Sequence, residues 1–389
     1  MIVDQAWVQR NLGFDPIARP APESTFAFKP AHSRGEPEDL QREIIDFDSE
    51  SPAGLQFLAF TTATGLSRFT DIAWPKGLEP KPDTTPRAGK VGGLPAADAL
   101  VVTWTVDEGH ALSRVLTPGY DSRNDYRSYT HNYSAIAKKM RKGSPALNAK
   151  RLGAYWTTTI GGKKVVVFKS DSHLSQDTKR LPAQNGTFPN EDVWKQIIGE
   201  VSPKLVITTG TAGGIGKEFE VGDVVVSSVV RFNCKNWLKS EPFHDAHYQD
   251  SAFKTKYLAQ AKKLFKANGG QLPKDNTRPP KVVQVPLGAV DSSVVTTDYF
   301  GFDTSDNHYG LRGLGDVSEM GDAVLGRVVS QMDANAPRWV AVRNVSDPQI
   351  KAVGTLKDQG KVAAQIYKGF GRWSSVCSAI VCWALIAAE

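Results

Sequence analysis

The fold of this chain is decided by KLVITTGTAGGIG at residues 204–216, which VGDVVV follows at residues 221–226. A short β-branched run meets four glycines, and a second apolar run begins a few residues later. Because buried parallel strands read as continuous apolar runs, this pattern predicts a buried strand, a tight loop and a second strand. Glycines let a backbone approach a ligand closely, so the loop either lines a site or is a plain strand turn.

Two familiar glycine loops do not fit this stretch. A dinucleotide fingerprint needs G-x-G-x-x-G opening a helix, whereas this loop reads G-x-x-G-G-x-G and leads into a strand. A P-loop needs Gly-Lys followed by Ser or Thr, and Gly216-Lys217 is followed here by Glu218. The loop by itself therefore identifies no ligand.

Three motifs in a fixed order carry a resemblance to a known family. They are the glycine stretch, SEMGDA at residues 318–323 and VAVRNVSD at residues 340–347. Together they resemble the nucleoside phosphorylase and nucleosidase superfamily, over roughly residues 98–370. The resemblance implies an α/β fold, three-layer α/β/α with a mixed central sheet, and a homo-oligomer. It also implies that Gly213 and Gly214 line the pocket.

The extent of the resemblance, roughly residues 98–370, also predicts the domain organisation. Residues 98–389 are expected to form the catalytic domain, and residues 1–97 a Pro- and Gly-rich N-terminal extension. Prolines interrupt any long regular element in the extension, so it is either an ordered arm over the catalytic domain or a tether to a partner.

Composition excludes few function classes. The formal charge of +6 is spread along the chain, which permits an anionic substrate but indicates no nucleic-acid binding. The three cysteines have neither zinc nor redox spacing, and no secretory signal is visible. We therefore expect a cytoplasmic protein with no membrane, metal or organic cofactor involved in its function.

Periodicity predicts several further elements. The glycine pair Gly161-Gly162 separates two apolar runs and indicates a hairpin. The apolar run at residues 376–386 is too short to span a bilayer and predicts a last core helix. The predicted strands lie at 99–105, 154–160, 163–168, 281–288, 293–297 and 338–347, and the predicted helices at 134–140, 193–198 and 251–268.

Two carboxylates are the catalytic candidates. Glu108 follows the first predicted strand, where open α/β sheets usually place a site, and the resemblance implies that it activates the attacking water. The alternative is that it only favours a helix N-terminus. Asp347 ends another strand, and the resemblance implies that it protonates N7 of a departing purine. That role requires burial to raise its pKa from about 3.9; the alternative is a turn residue.

The resemblance also names residues that bind the sugar and the base. The family reads E-M-E where this chain reads Glu319-Met320-Gly321. The resemblance implies that Glu319 and Met320 hold the sugar, with Met320 under it. The last glutamate of the family, which accepts hydrogen bonds from ribose, is missing here. Asp322 is the expected replacement, since an ionised carboxylate accepts hydroxyl donors; a modified ribose or a loss of activity is the alternative. Phe300 is expected to stack on the base, with Phe302 second and a core role as the alternative. Ser346, beside Asp347, completes the substrate-binding candidates.

The same resemblance bears on the second substrate. Phosphorylases of the family place an arginine after the strand equivalent to residues 165–168, and this chain reads Lys169-Ser170-Asp171-Ser172-His173 there. Asp171 would repel phosphate, so hydrolysis is favoured, although Arg123 or Arg127 could supply the charge. The expected function is hydrolysis of a purine nucleoside or nucleotide. The alternatives are phosphorolysis, or a non-catalytic nucleotide-binding sensor or partner protein.

Overall fold

A computed structural model describes residues 1–12, 72–83, 90–120, 125–181, 185–267, 273–332 and 336–389. Within these ranges the strands are β1 (Ile2–Val3), β2 (Lys81–Pro82), β3 (Lys90–Val91), β4 (Ala99–Thr103), β5 (Arg127–Tyr129), β6 (Gly153–Ile160), β7 (Lys163–Ser170), β8 (Leu205–Gly214), β9 (Val224–Ser227), β10 (Val229–Asn233), β11 (His247–Gln249), β12 (Val282–Gln284), β13 (Val294–Thr297), β14 (Val317–Glu319), β15 (Arg338–Asp347) and β16 (Gln349–Ile350). The helices are α1 (Gln5–Leu12), α2 (Val106–Leu116), α3 (Tyr133–Ala137), α4 (Pro145–Ala149), α5 (Leu174–Asp177), α6 (Pro189–Val201), α7 (Leu258–Ala267), α8 (Asp322–Ser330) and α9 (Leu356–Ala388).

Strand β8 is the centre of a mixed sheet formed by β2 to β15. On one side it pairs in parallel with β15 along nearly its whole length. On the other side its first half pairs in parallel with β4, and its last two glycines pair antiparallel with β14. The partner on that side therefore changes in the middle of β8. Such a change of neighbour opens a crevice at the strand ends, where α/β sheets bind ligands.

The glycine stretch differs from its prediction. We expected the strand to end at the glycines, but β8 continues through Gly210, Gly213 and Gly214 before a loop leads to β9. The physical reason is pairing, because β14 and β15 hydrogen-bond the glycine half from both sides. Gly210 has a φ of +150°, a conformation that suits glycine, at the point where β8 leaves β4.

Helices cover both faces of the sheet and confirm the three-layer α/β/α prediction. Alternate residues of β4 point to opposite faces, as the period of a strand requires. Ala99 and Val101 belong to the core that holds α2 and α9, whereas Leu100 and Val102 belong to the core that holds α6 and α8. Burial on both faces explains why the central strands are apolar throughout.

The other predicted elements are mostly present. The hairpin is β6 and β7, with Gly161 and Gly162 both at positive φ, as a two-residue turn requires. The amphipathic helix predicted at 251–268 is shorter, as α7 begins at Leu258. The helix predicted at 193–198 is longer, because Pro189 at its first turn starts α6 earlier.

The described pieces of the N-terminal extension pack on the sheet domain. Strand β1 pairs in parallel with β16, directly after Asp347, and Trp7 of α1 contacts Phe370 of α9 with ring centroids 5.9 Å apart. Farther along, Trp383 donates a 2.6 Å hydrogen bond to the carbonyl oxygen of Leu78. These pieces therefore share one core with residues 98–389, while residues 13–71 and 84–89 lie outside the described residues.

Helix α9 is three times longer than the predicted C-terminal run. Thr355 caps it with a capping box to Asp358, which extends the helix back to Leu356. By length and hydropathy it could cross a membrane, but 94% of its most apolar window is buried inside the protein. That burial is typical of a core helix, which is what the run predicted.

Candidate active site

The candidate active site lies where β4, β8, β14 and β15 end. Glu108 is in the first turn of α2, directly after β4, and Glu319 and Asp347 are the last residues of β14 and β15. All three carboxylates are buried. Because their strands are neighbours of β8, the sheet brings them together around its glycines.

Asp347 has the environment of a carboxylic acid that keeps its proton. Its Oδ1 accepts a 2.6 Å hydrogen bond from Ser346 Oγ. Burial raises the pKa of Asp347 to about 7, against the opposing effect of the Ser346 hydrogen bond. A group with this pKa can donate a proton near neutral pH. The geometry therefore meets the burial requirement set by the sequence, and the catalytic role stays a prediction.

Gly213 borders the free side of the Asp347 carboxyl group. A Cβ atom on Gly213 would lie 3.0 Å from Asp347 Oδ2 and 3.3 Å from Ser318 Oγ. Gly214 differs, since a Cβ atom there would meet Phe219 and Val345, which belong to the core. The structure thus places Gly213 beside Asp347 and Gly214 against core side chains. Pocket lining is consequently expected of Gly213 alone.

Replacing Gly213 by Ala should lower kcat/KM by about tenfold to a hundredfold, because small displacements of a reacting group cost that much. The added methyl group must displace the Asp347 carboxyl group or Ser318. Gly199→Ala is the matched control, since nothing lies within 4 Å of a Cβ atom there. Steady-state kinetics on both variants checks the prediction, and equal rates would contradict it.

Glu108 is held by five hydrogen-bond donors. Its Oε2 accepts from Thr103 Oγ1 (2.8 Å) and from the backbone N–H groups of Trp104 and Thr105 (3.1 and 3.0 Å). Its Oε1 accepts from both the N–H and the hydroxyl group of Thr211, at 2.7 Å each. Burial opposes the charge, yet Arg343 and these donors lower the pKa of Glu108. The carboxylate is therefore ionised, and it forms the capping box of α2 as well.

Glu108 and Asp347 touch the same strand two residues apart. Glu108 binds the Thr211 N–H, and Asp347 borders Gly213. Two residues of β-strand span about 7 Å. Carboxyl groups of inverting glycosidases stand about 6.5–9.5 Å apart, with room for a water molecule and the sugar between them. The spacing is thus compatible with two carboxylates that flank one glycosidic bond.

Arg343 is the centre of a buried charge cluster. Its Nε lies 2.8 Å from Asp322 Oδ2 and its Nη2 bonds Asp322 Oδ1, while Nη2 also lies 3.1 Å from Glu319 Oε2. Glu319 further accepts from Thr296 Oγ1 and from the backbone N–H of Asp322. Burial and the Asp322 charge raise the pKa of Glu319 to about 7. A charged residue inside the apolar run of β15 was the sequence signal for this cluster.

The cluster includes Asp322. We predicted that Asp322 replaces the missing sugar carboxylate, but it is 1% exposed and both its oxygens bind Arg343. At Gly321 a Cβ atom would lie 2.8 Å from the Trp104 ring, so the indole fills the space of a side chain there. Arg343 stacks on that ring, with Cζ 4.8 Å from its centroid. Asp322 is therefore a buried ion-pair partner of Arg343, and its binding to a sugar stays a prediction.

The remaining candidates lie along the same edge. Met320 is half-buried between Glu319 and Gly321. Phe300 is half-buried, whereas Phe302 is 1% exposed and belongs to the core, so Phe300 is the better stacking candidate. The Gly301 carbonyl oxygen accepts a 2.9 Å hydrogen bond from Ser318 Oγ, which ties this segment to β14. Sequence reasoning did not identify Ser318.

A cationic cluster lies at the end of β7 and was missed by the sequence reading. Asp171 binds Arg151 Nε at 2.6 Å and also binds Lys169 Nζ. Burial opposes the charge of Asp171, but Lys169 and Arg151 lower its pKa. Residues 169–173 contain no arginine, but the fold places Arg151 beside them. The ion pairs with Arg151 and Lys169 neutralise the charge of Asp171. Arg127 belongs to β5, and Arg123 lies outside the described residues.

The cationic cluster is close to Glu108. A Cβ atom on Gly109 would lie 3.1 Å from Lys169 Cγ, so the lysine crosses the first turn of α2. Burial and the Lys169 charge lower the pKa of His173 to about 4, which keeps its imidazole neutral. The part of the site that holds Glu108 therefore borders the cationic cluster of Lys169 and Arg151.

One protein-family model matches more than half of this chain. The model of the phosphorylase superfamily matches residues 130–381. No curated protein sequence matches the chain significantly. Among solved structures, 5'-methylthioadenosine/S-adenosylhomocysteine nucleosidase from Neisseria meningitidis in complex with methylthio-immucillin-A is 15% identical, with a TM-score of 0.43 over 75% of this chain and 99% of that chain.

Two further structures are similar. A putative 5'-methylthioadenosine/S-adenosylhomocysteine nucleosidase from Francisella philomiragia is 14% identical, with a TM-score of 0.46 over 75% of this chain and 99% of that one. Futalosine hydrolase of Helicobacter pylori is 12% identical, with a TM-score of 0.43 over 74% and 96% of the two chains.

Proposed function

The chain belongs to the phosphorylase superfamily, and on this premise we propose that it is a nucleosidase that hydrolyses the N-glycosidic bond of a purine nucleoside or nucleotide. The observation that carries the proposal is Asp347, a buried carboxyl group whose pKa is raised to about 7 beside the glycines of β8. Such a group can protonate a leaving base at neutral pH.

The reaction follows from the two carboxyl groups. Asp347 donates its proton to N7 of the purine while the bond between C1′ and N9 breaks, and the electron pair of that bond stays on the base. The sugar gains oxocarbenium character, as in glycoside hydrolysis. A water molecule then attacks C1′ and gives its proton to Glu108. The products are the free base and the free sugar.

Glu108 must release one acceptor site for that water. Two of its five donors, the hydroxyl groups of Thr103 and Thr211, can rotate away, whereas the other three are backbone N–H groups fixed by the strand ends. The low pKa of Glu108 keeps it ionised, which also stabilises positive charge on the sugar. Ser346 orients Asp347, Met320 lies under the sugar and Phe300 stacks on the base in this proposal.

Phosphorolysis is the second candidate, and Arg151 favours it. Together, Arg151, Lys169 and Asp171 carry a net positive charge next to Glu108. We expected Asp171 to repel phosphate because we took its carboxylate to be unpaired. In the structure the carboxylate forms ion pairs with Arg151 and Lys169, so its charge is compensated. A phosphate that binds here would attack C1′ in place of water.

Product analysis tests the proposal. The purified protein is incubated with purine nucleosides and nucleotides, with and without inorganic phosphate, and released base is separated by chromatography. We expect base and free sugar at the same rate in both conditions. Sugar 1-phosphate formed only with phosphate would establish phosphorolysis instead. Tight binding of nucleotides without release of base would establish a non-catalytic sensor.

A further inference from the structure

The pairing of β8 with β15 ends at Asp347. The last pair in their register is Asp347 with Gly213, and beyond it one chain continues to Gly216 and the other to β16. Pro348, which follows Asp347, has no N–H group to donate. Among the described residues, the carboxyl group of Asp347 has one hydrogen-bond partner, its neighbour Ser346. The position of the acid therefore depends on what holds the two strand ends beyond it.

Asp303 holds both strand ends with one oxygen atom. Its Oδ2 accepts a 2.8 Å hydrogen bond from the N–H of Gly216 and a 2.6 Å hydrogen bond from Nε2 of Gln349. Its backbone carbonyl oxygen accepts a further 2.8 Å bond from the N–H of Ile350. Asp303 and Gln349 are both buried, so these bonds are shielded from water. The carboxylate thus joins the two chains just beyond the last pair of β8 and β15.

Arg312 compensates the charge of this buried carboxylate. Its Nε lies 3.5 Å from both oxygens of Asp303, and its Nη2 donates to the carbonyl oxygen of Thr304. The Arg312 side chain is 38% exposed, so it reaches Asp303 from the surface. A buried carboxylate is costly unless it is paired and hydrogen-bonded, and Asp303 meets both conditions. Hydrogen bonds to an ionised acceptor are roughly twice as strong as neutral ones, which suits Asp303 to hold the two strand ends.

We propose that Asp303 is a positioning residue, which sets the place of Asp347 by holding the ends of β8 and β15 together. This inference rests on the proposed function, since it concerns the acid of that reaction. A general acid must stay within hydrogen-bond reach of the atom that it protonates. Without the link, β16 is free to shift relative to β8, and the carboxyl group of Asp347 shifts with it relative to Gly213. A displacement of about 1 Å costs up to about a hundredfold in rate.

The test combines Asp303→Ala with the loss of the acid itself. In the wild-type background, Asp303→Ala should lower kcat on a purine nucleoside by about tenfold to a hundredfold with little change in KM, because the acid acts in the transition state. In the Asp347→Asn background, the same change should lower kcat by less than about twofold, since no acid is left to misplace. Equal losses in both backgrounds would show that Asp303 only supports the fold, and would overturn the inference while the proposed function stands. An unchanged kcat in Asp347→Asn would instead remove the acid of the proposed function, and the inference with it.

Two milder variants separate the link from the stability of the fold. Asp303→Asn keeps an oxygen atom for both donors and loses the ion pair with Arg312, so it should retain most of the wild-type kcat. Gln349→Leu removes the link on the side of β15 and should lower kcat by about tenfold. Thermal melting establishes that each variant folds. A folded Gln349→Leu variant with the kcat of the wild type would contradict the inference.

Glu220→Ala is the matched control for Asp303→Ala. Glu220 is also a buried carboxylate, it belongs to the same loop between β8 and β9 as Gly216, and its oxygens accept from the N–H and the hydroxyl group of Thr277. Its removal should lower the melting temperature and leave kcat unchanged, because these bonds fasten the loop to the segment of Thr277 and not to the strand of the acid.

Discussion

Replacement of Asp347 by Asn is expected to lower kcat on a purine substrate by about 10²- to 10⁴-fold, which is the usual contribution of a positioned general acid. Asn has nearly the same shape and can keep the hydrogen bond with Ser346, but it has no proton to give to N7. Steady-state kinetics on the substrate with the highest wild-type rate measures the effect.

The pH profile provides an independent readout of the same group. Because the protonated form of Asp347 is the acid and its pKa is about 7, kcat of the wild type should fall as pH rises through 7. In the Asn variant, kcat should not fall as pH rises through 7. Asp316→Asn is the matched control, since burial also raises the pKa of Asp316, to about 6, and its carboxyl group interacts with Ser292 and Glu218. An unchanged kcat in Asp347→Asn would show that another group protonates the base.

The same substitution has a predicted effect on stability. A carboxyl group whose pKa is higher in the folded state stabilises the fold at low pH, and this contribution is lost as pH rises from about 4 to about 7. Asn cannot ionise, so the variant should gain stability relative to the wild type at pH 8 but not at pH 4. Thermal melts at both pH values separate this effect from a damaged fold.

Replacement of Arg343 by Met should lower the free energy of unfolding by about 3–5 kcal/mol, the usual cost of removing one partner of a buried ion pair. Asp322 would lose the guanidinium that binds both of its oxygens, and Glu319 would lose one ion pair. The loss should be smaller below pH 7, because Glu319, whose pKa is about 7, then carries a proton. Urea denaturation at pH 6 and pH 8 measures both effects.

The control for this prediction is a surface ion pair. Arg10 is 58% exposed and binds Asp275, so Arg10→Met should cost less than about 1 kcal/mol. If Arg343→Met cost as little as the control, the arginine would not hold the buried carboxylates of Asp322 and Glu319 in place.

The sequence alone was sufficient for the elements that local pattern decides. The apolar runs of β4 and β15 and the two glycines of the β6–β7 hairpin predicted strands and a turn, because strand period and turn chemistry involve only neighbouring residues. The order of the three motifs also indicated the family, and it pointed to Asp347 and Glu108 at the ends of two strands. The length of α9 was underestimated, since its first half is less apolar and is buried only by tertiary packing.

Only the tertiary structure decided how the polar groups of the site are paired. Nothing local indicates that Arg343 captures Asp322, that Arg151 neutralises Asp171, or that the ring of Trp104 fills the space beside Gly321. In two of these pairs the residues lie about twenty apart in sequence, and in the third they lie more than two hundred apart, so no periodicity connects them. The charge and the acceptors that a carboxylate offers depend on which groups surround it in the core, and that is set by packing. The sequence therefore indicated the carboxylates Glu108 and Asp347 of the candidate site, and the fold determined which groups surround each of them.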